Sequence, residues 1–304
     1  MRTFPNLLVS LLSFILATSV ANAQPVEEEV GEAIATLHVA KNQKFLMWNE
    51  CGKTLRGEDV ATRIGEYATI MQQSIQSVES QTGFEVPYKD VVAITFRESS
   101  HDSCNIGKQE IGRLTKSLGH APDEDDIITY VKGWYRSRDE ASKQCKGKKE
   151  EEGKICRTTY LEKNYPQYNG ISGWDLGAAQ YRFPSANLKG RVVTIPSGQT
   201  FKVGLSTLLK LDVSIQLLVE DLADFYKECQ GHQHFVYSRW GKKRLLPVEE
   251  AYYVHHHVGR NAWSLDYWKR MQSHFRVINS MKEQVERISS VLQLGLFNRA
   301  AKAS

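Results

Sequence analysis

Along the chain, apolar residues recur mostly at helical spacing. In "GEDVATRIGEYATIMQQSIQSVESQTG" they fall at Val60, Ile64, Tyr67, Ile70, Met71, Ile75 and Val78, intervals of three and four that lay one apolar stripe along a helix stopped by Gly83. Upstream, "VEEEVGEAIATLHVAKNQKFLMW" carries its acidic residues early and predicts an N-terminal helix leading into the domain. Downstream, "VPYKDVVAITFRESS" begins with Pro87, suited to a first helical turn, and is apolar on nearly every side. On β-branching alone it could be a buried strand, but it is read as a helix.

From about Lys108 to Tyr168 the pattern turns polar, broken by "DIITYVKGWYRSR", which predicts a short amphipathic helix. Trp134, Tyr135, Tyr160 and Tyr165 are aromatics that favour burial, so the segment reads as a folded insertion with a charged loop at its tip rather than a disordered linker. "RVVTIPSGQTFKVG" is two short β-like runs around Pro196-Ser197-Gly198, a hairpin. Helical patterns then run over Leu205–Cys229, Pro247–Arg270 and Ser273–Asn298. The last, with Ile278, Met281, Val285, Ile288, Val291, Leu292 and Leu296, reads as a helix packed on the domain. The expected fold class is mainly α (α+β), with one small hairpin and no internal repeat.

Composition adds the compartment. "MRTFPNLLVSLLSFILATSVANAQ" has a basic start, an apolar stretch and Ala21-Asn22-Ala23, the pattern of a secretory signal cleaved after Ala23. No later segment has the ~20 mostly apolar residues that a membrane span needs, so the mature chain is expected to be periplasmic or secreted, with no membrane span. Without Arg2, 38 basic residues stand against 35 acidic ones, too even a balance to argue for nucleic acid. The expected organisation is a signal at 1–23, a helical extension at 24–55, a catalytic domain at 56–270 with its insertion at about 108–170, and a C-terminal helix at 271–304.

Five cysteines in an exported chain predict two bridges and one free thiol. Cys145 and Cys156 bracket the polar "KGKKEEEGKI", which a local bridge would close. There is no C-x-x-C pattern to support zinc or thioredoxin chemistry. In the run His255-His256-His257, consecutive helical residues point about 100° apart and cannot converge on one ion. No metal or cofactor is expected.

The candidate chemistry begins at "VVAITFRESSHDSCNIG", where Glu98 stands at the end of the apolar run. A glutamate at a helix end is more often a solvated surface residue than a catalyst. Partly desolvated, though, it would be raised from near 4.3 and could act as a general acid on a glycosidic oxygen.

These residues resemble the lysozyme-like lytic transglycosylases of the SLT type and the goose-type lysozymes, in which the catalytic helix ends in Glu-Ser. "WDLGAAQYRFP" matches the family's second motif at Gly177, Ala178, Ala179 and Gln180, and "AYYVHHHVGRNAW" loosely matches the aromatic third motif. The long insertion between the first two motifs and the absence of Tyr-Asn-Ala-Gly depart from the family. The resemblance implies a lysozyme-like helical domain that cleaves the β-1,4 bond between N-acetylmuramic acid and N-acetylglucosamine, with peptidoglycan glycan strands as partner.

Carried over by position, Glu98 is the acid/base, Ser99 orients it and Gln180 contacts the sugar. Tyr181, Tyr253, His256 and His257 are further candidates for substrate contact. Asp102, four residues after Glu98, would lie one turn along the same face of a continuing helix, unable to flank the bond; it is expected to cap, or to pair with Arg97 or His101. Asp175 is the possible second carboxylate, or else a turn residue. The acidic "DEDD", Asp123–Asp126, could attract cationic groups such as de-acetylated amino sugars, or be a solvated loop. Three readings stay open: a lytic transglycosylase giving 1,6-anhydro products, a lysozyme-type hydrolase using water, and a non-catalytic wall-binding scaffold.

Overall fold

A computed structural model describes residues 25–246 except 43–46, 52, 107, 169–170, 172, 184–187, 231–233 and 238–242, together with positions 280 and 283. The signal segment, the expected helices at 247–270 and 273–298, and with them Tyr253, His256 and His257, lie outside the described residues. What is described is mainly helical with small antiparallel sheets, in agreement with the expected class.

Helix α1 (Pro25–Asn42) is shorter than the pattern suggested, because the chain turns at its end into a hairpin of β1 (Met47–Glu50) and β2 (Lys53–Arg56). It buries Val30, Ile34 and Leu37 against α2 (Glu58–Thr82). Helix α2 buries the stripe read from the sequence except Ile70, which is partly buried, and it ends at Gly83 in the left-handed conformation. The β-branched run is helical. It forms α3 (Tyr88–Ser99), with Pro87 at the N-cap and Asp90 through Phe96 all buried. A helix apolar all round belongs inside a bundle, and α1, α2 and α8 supply that enclosure.

The insertion is more helical than expected: α4 (Lys108–Leu118), α5 (Glu124–Gln144) and α6 (Glu150–Asn164). The "DEDD" stretch is not a loop: it forms the cap and first turn of α5. Asp123 accepts from the Asp126 N–H and the Asp126 carboxylate accepts from the Asp123 N–H, a reciprocal cap. Much of the expected charged tip is the first turn of α6, and the Cys145–Cys156 bridge joins the two helices there. Trp134 of α5 packs with Trp174 and Tyr168 in a second apolar cluster, distinct from the bundle core.

After the insertion come β3 (Trp174–Leu176) with β4 (Tyr181–Phe183), then β5 (Val192–Thr194) with β6 (Thr200–Lys202), the latter pair being the hairpin read from the sequence. The helical pattern read over Leu205–Cys229 breaks into α7 (Leu205–Leu208) and α8 (Leu211–Gln230). A final hairpin pairs β7 (His234–Tyr237) with β8 (Lys243–Leu246). Four hairpins stand where one was expected among these residues, because strands of three or four residues leave no period to detect.

One polar cluster ties the N-terminal hairpin to the end of α3. The buried Glu50 carboxylate receives Arg63 Nη2 at 2.6 Å, Ser103 Oγ at 2.6 Å and Tyr67 Oη at 3.0 Å. Tyr67 shares its one hydroxyl proton between Glu50 and the His101 carbonyl. A second bridge, Cys51–Cys104, joins the same two segments and leaves Cys229 outside both disulfides. Removing Glu50 leaves Arg63 paired with Glu66 but takes the acceptor from the buried Ser103 hydroxyl, an unsatisfied donor that costs about 1–3 kcal/mol. Glu50→Ala is therefore expected to lower unfolding stability by about 2 kcal/mol in a urea titration; a loss under about 0.5 kcal/mol would show that the cluster does not bear on the fold.

Candidate active site

Glu98 lies in the last turn of α3, half-buried. The helix stops directly after it: Ser100 and His101 both take the left-handed conformation, with φ of 61° each. Their N–H groups close the end by bonding Phe96 O at 2.8 Å and Thr95 O at 3.3 Å. Left-handed non-glycine residues persist only where surroundings enforce them. Here His101 is fully buried, its Nε2 3.1 Å from Val92 O and its Nδ1 3.0 Å from His38 Nε2. Because a carbonyl can only accept, His101 carries its proton on Nε2 when neutral, and His38 is the donor between the rings.

The early stop changes the place of Asp102. It does not lie one turn along a continuing helix; of the two roles expected of it, it takes the cap. Its Oδ1 accepts the backbone N–H groups of Cys51 at 3.1 Å and Cys104 at 3.0 Å, capping the bridged turn. Burial pushes its carboxyl up to about 6 even against those two hydrogen bonds. The grouping of Cys51, Asp102 and Cys104 is thus a disulfide with its capping carboxylate, since bridged sulfurs are not metal ligands.

The two sequence motifs meet. Ser99 Oγ lies 2.8 Å from Ala178 O and 3.0 Å from Thr95 O, sharing one proton between them, and it accepts the Asp102 N–H at 3.2 Å. Asn105, which sequence reading passed over, completes the seam. Its carbonyl receives the Gly177 N–H and the Gln180 side chain, each at 3.1 Å, and its amide reaches Ser99 O at 3.4 Å. Gly177 is required by the turn: its φ is +77°, and a Cβ there would sit 2.1 Å from the Leu208 carbonyl.

Ser99 therefore acts on Glu98 through the backbone, by locking the helix end to the 177–180 turn. Gln180 adopts φ 53°, and its amide nitrogen also donates to Gly177 O at 2.9 Å. With both amide protons engaged, the group it can offer a sugar is its Oε1. Tyr181 turns its hydroxyl to Asp221 at 2.7 Å, in a cluster where Arg191 bridges Asp221 and Glu220, so it fastens β4 to α8. Burial and Asp221 together hold that phenol well above its ordinary value.

Asp175 stands opposite Arg182 across the β3–β4 hairpin, with Arg182 Nη1 3.2 and 3.3 Å from its two oxygens. Its charge reaches Glu98. Burial is the largest influence on the Glu98 carboxyl; Arg97 works against it and Asp175 with it, leaving the group at about 7 in place of 4.5. The site thus offers one acid that holds its proton near neutrality, with the Asp175 side chain in electrostatic range. A cavity of about 500 Å³ opens elsewhere, on the Cys51–Cys104 side beside Arg63, Ser103 and Lys210, and Glu98 does not line it.

The raised carboxyl makes stability depend on pH with a definite sign. Below about pH 4.5 the folded and unfolded chains both hold the Glu98 proton. Between about 4.5 and 7 only the fold retains it, so stability falls as pH rises, and the loss is complete above about 7. Its size is on the order of 3 kcal/mol. Glu98→Gln should match the parent at pH 4 and melt several degrees higher at pH 8, as read by thermal denaturation. Equal melting at both pH values would contradict the buried acid.

No protein-family model, no characterised protein and no solved structure matches this chain.

Proposed function

We propose that the protein is an exported peptidoglycan-cleaving glycosidase, a lytic transglycosylase acting on the β-1,4 bond from N-acetylmuramic acid to N-acetylglucosamine. One observation carries this reading: the Glu98 carboxyl, protonated up to about pH 7, sits where the Glu-Ser helix end is hydrogen-bonded to the Gly-Ala-Ala-Gln turn. The signal-like leader and the two disulfides support a role outside the cytoplasm.

In the proposed reaction Glu98 gives its proton to the leaving glycosidic oxygen. The resulting carboxylate then takes the proton of the muramic C6 hydroxyl as that oxygen attacks C1. A 1,6-anhydro sugar forms, no water is consumed, and Glu98 ends protonated again. A second carboxylate working as nucleophile or base would have to flank the bond. Among the described residues Asp175 is the candidate, and its pairing with Arg182 blunts its nucleophilicity, which supports the single-acid route.

Digestion of purified sacculi followed by mass spectrometry tests the reading. Anhydro products are expected, and products heavier by one water would assign the chemistry to a lysozyme-type hydrolase with Asp175 as its base. Glu98→Gln should lower turnover about a thousandfold. The parent's kcat/KM should fall as pH rises above about 7, where Glu98 loses its proton. If the parent binds sacculi and releases no fragments, the chain is a wall-binding scaffold.

A further inference from the structure

The Cys51–Cys104 bridge joins the turn of the β1–β2 hairpin to the segment that follows α3, and its two cysteines stand differently. Cys104 is buried, whereas Cys51 is partly exposed. Both line the cavity of about 500 Å³, which gives an incoming sulfur room to reach the bridge. Cys51 also has a φ of 46°, a left-handed conformation that a non-glycine residue keeps only under constraint. Two contacts supply the constraint: the bridge itself, and Asp102 Oδ1, which accepts the Cys51 N–H. The Cys145–Cys156 bridge imposes nothing comparable, since Cys145 has a φ of −102° and Cys156 lies within α6. Bridges held under strain are the ones most open to reduction.

What the first bridge secures is the end of α3. The hairpin holds residues 102–104 through the S–S bond, through the Cys51 N–H on Asp102, and through Ser103 Oγ on Glu50 at 2.6 Å. Asp102 in turn donates its N–H to Ser99 Oγ, the hydroxyl that bonds Ala178 O. Loss of the covalent link therefore loosens a series of contacts that runs to the residue next to Glu98. The bundle core of α1, α2, α3 and α8 contains neither cysteine, so its packing does not need the bridge.

We propose that the Cys51–Cys104 bridge is a redox latch: a dithiol reductant opens it from the cavity, and the end of α3 that carries Glu98 passes from fixed to mobile while the bundle stays folded. A thiolate of the reductant attacks the more exposed Cys51 Sγ, the S–S bond breaks, and Cys104 leaves as a thiolate that takes a proton from solvent. The second thiolate of the reductant then attacks the mixed disulfide and releases Cys51, which is protonated in the same way. The bridge gains two electrons and two protons, and the reductant ends as its own disulfide.

Dithiothreitol, in a graded series against its oxidised form, is the probe; alkylation with peptide mass spectrometry and hydrogen exchange are read on the same samples. Cys51 and Cys104 should become alkylated at an about tenfold lower ratio of reduced to oxidised probe than Cys145 and Cys156. Over that range the amides of residues 99–105 should exchange about tenfold faster while those of α2 keep their rate. Reoxidation should restore slow exchange. A Cys145→Ser, Cys156→Ser protein should respond as the parent does, which assigns the effect to the first bridge. The latch is overturned if Cys145–Cys156 opens first or at the same ratio, or if opening Cys51–Cys104 leaves exchange at 99–105 unchanged. It is equally overturned if exchange in α2 rises in step, since the bridge would then be a brace for the whole fold. These readouts do not depend on the glycosidase reading, which stands or falls on the sacculus digestion.

Discussion

A helix buried on every side must still end, and the ending of α3 governs what surrounds it. Its last carbonyls need donors, its last turn carries a carboxyl, and little water is at hand to satisfy either. Two left-handed residues, Ser100 and His101, bring the chain round sharply enough for backbone N–H groups to close the end. That turn is held by Tyr67 from α2, by His38 from α1, and by the bridged hairpin through Asp102. The N-terminal helix and hairpin are therefore part of the scaffold under Glu98 rather than an appendage to it.

The stripe on α2 and the 192–202 hairpin were legible because each carries a strong local signal: seven apolar positions at one period, and a Pro-Ser-Gly turn between β-like runs. Helix α3 was ambiguous for a physical reason, since a segment buried all round has no polar face from which to read a period. Glu98 and the Gly-Ala-Ala-Gln turn could be singled out, but the seam between them could not. It runs through Asn105 and from the Ser99 hydroxyl to the carbonyl of Ala178, and a backbone carbonyl has no signature in the amino-acid code. The misplacement of Asp102 had a similar origin. Counting four residues on from Glu98 presumes helix, and nothing local in "SSHD" announces two left-handed residues without a glycine. The acidic run at Asp123–Asp126 shows the converse, a charge cluster whose use is a helix start.

Glu98 and Asp102 are both carboxyls raised by burial, and they differ in what faces them. Asp102 meets two backbone N–H groups that favour its ionised form; Glu98 meets a positive neighbour in sequence and a negative one across the hairpin. The first arrangement suits a fixed cap, the second a group able to give up a proton and regain it. Holding an acid in such a place is a local cost to the fold, of the kind active sites commonly carry and the surrounding core offsets.

The Cys51–Cys104 bridge closes a ring spanning 53 positions of sequence, and that ring contains the whole of α2 and α3. On the chain-entropy account a loop of this size removes about 4 kcal/mol of freedom from the unfolded state. It has a second effect, which is topological. A protease that cut the 83–87 connection between the two helices would sever the chain without releasing either half, because the segment bearing Glu98 would stay tethered through Cys104 to the hairpin. The acid would then remain attached to its scaffold after a break that would otherwise divide the molecule.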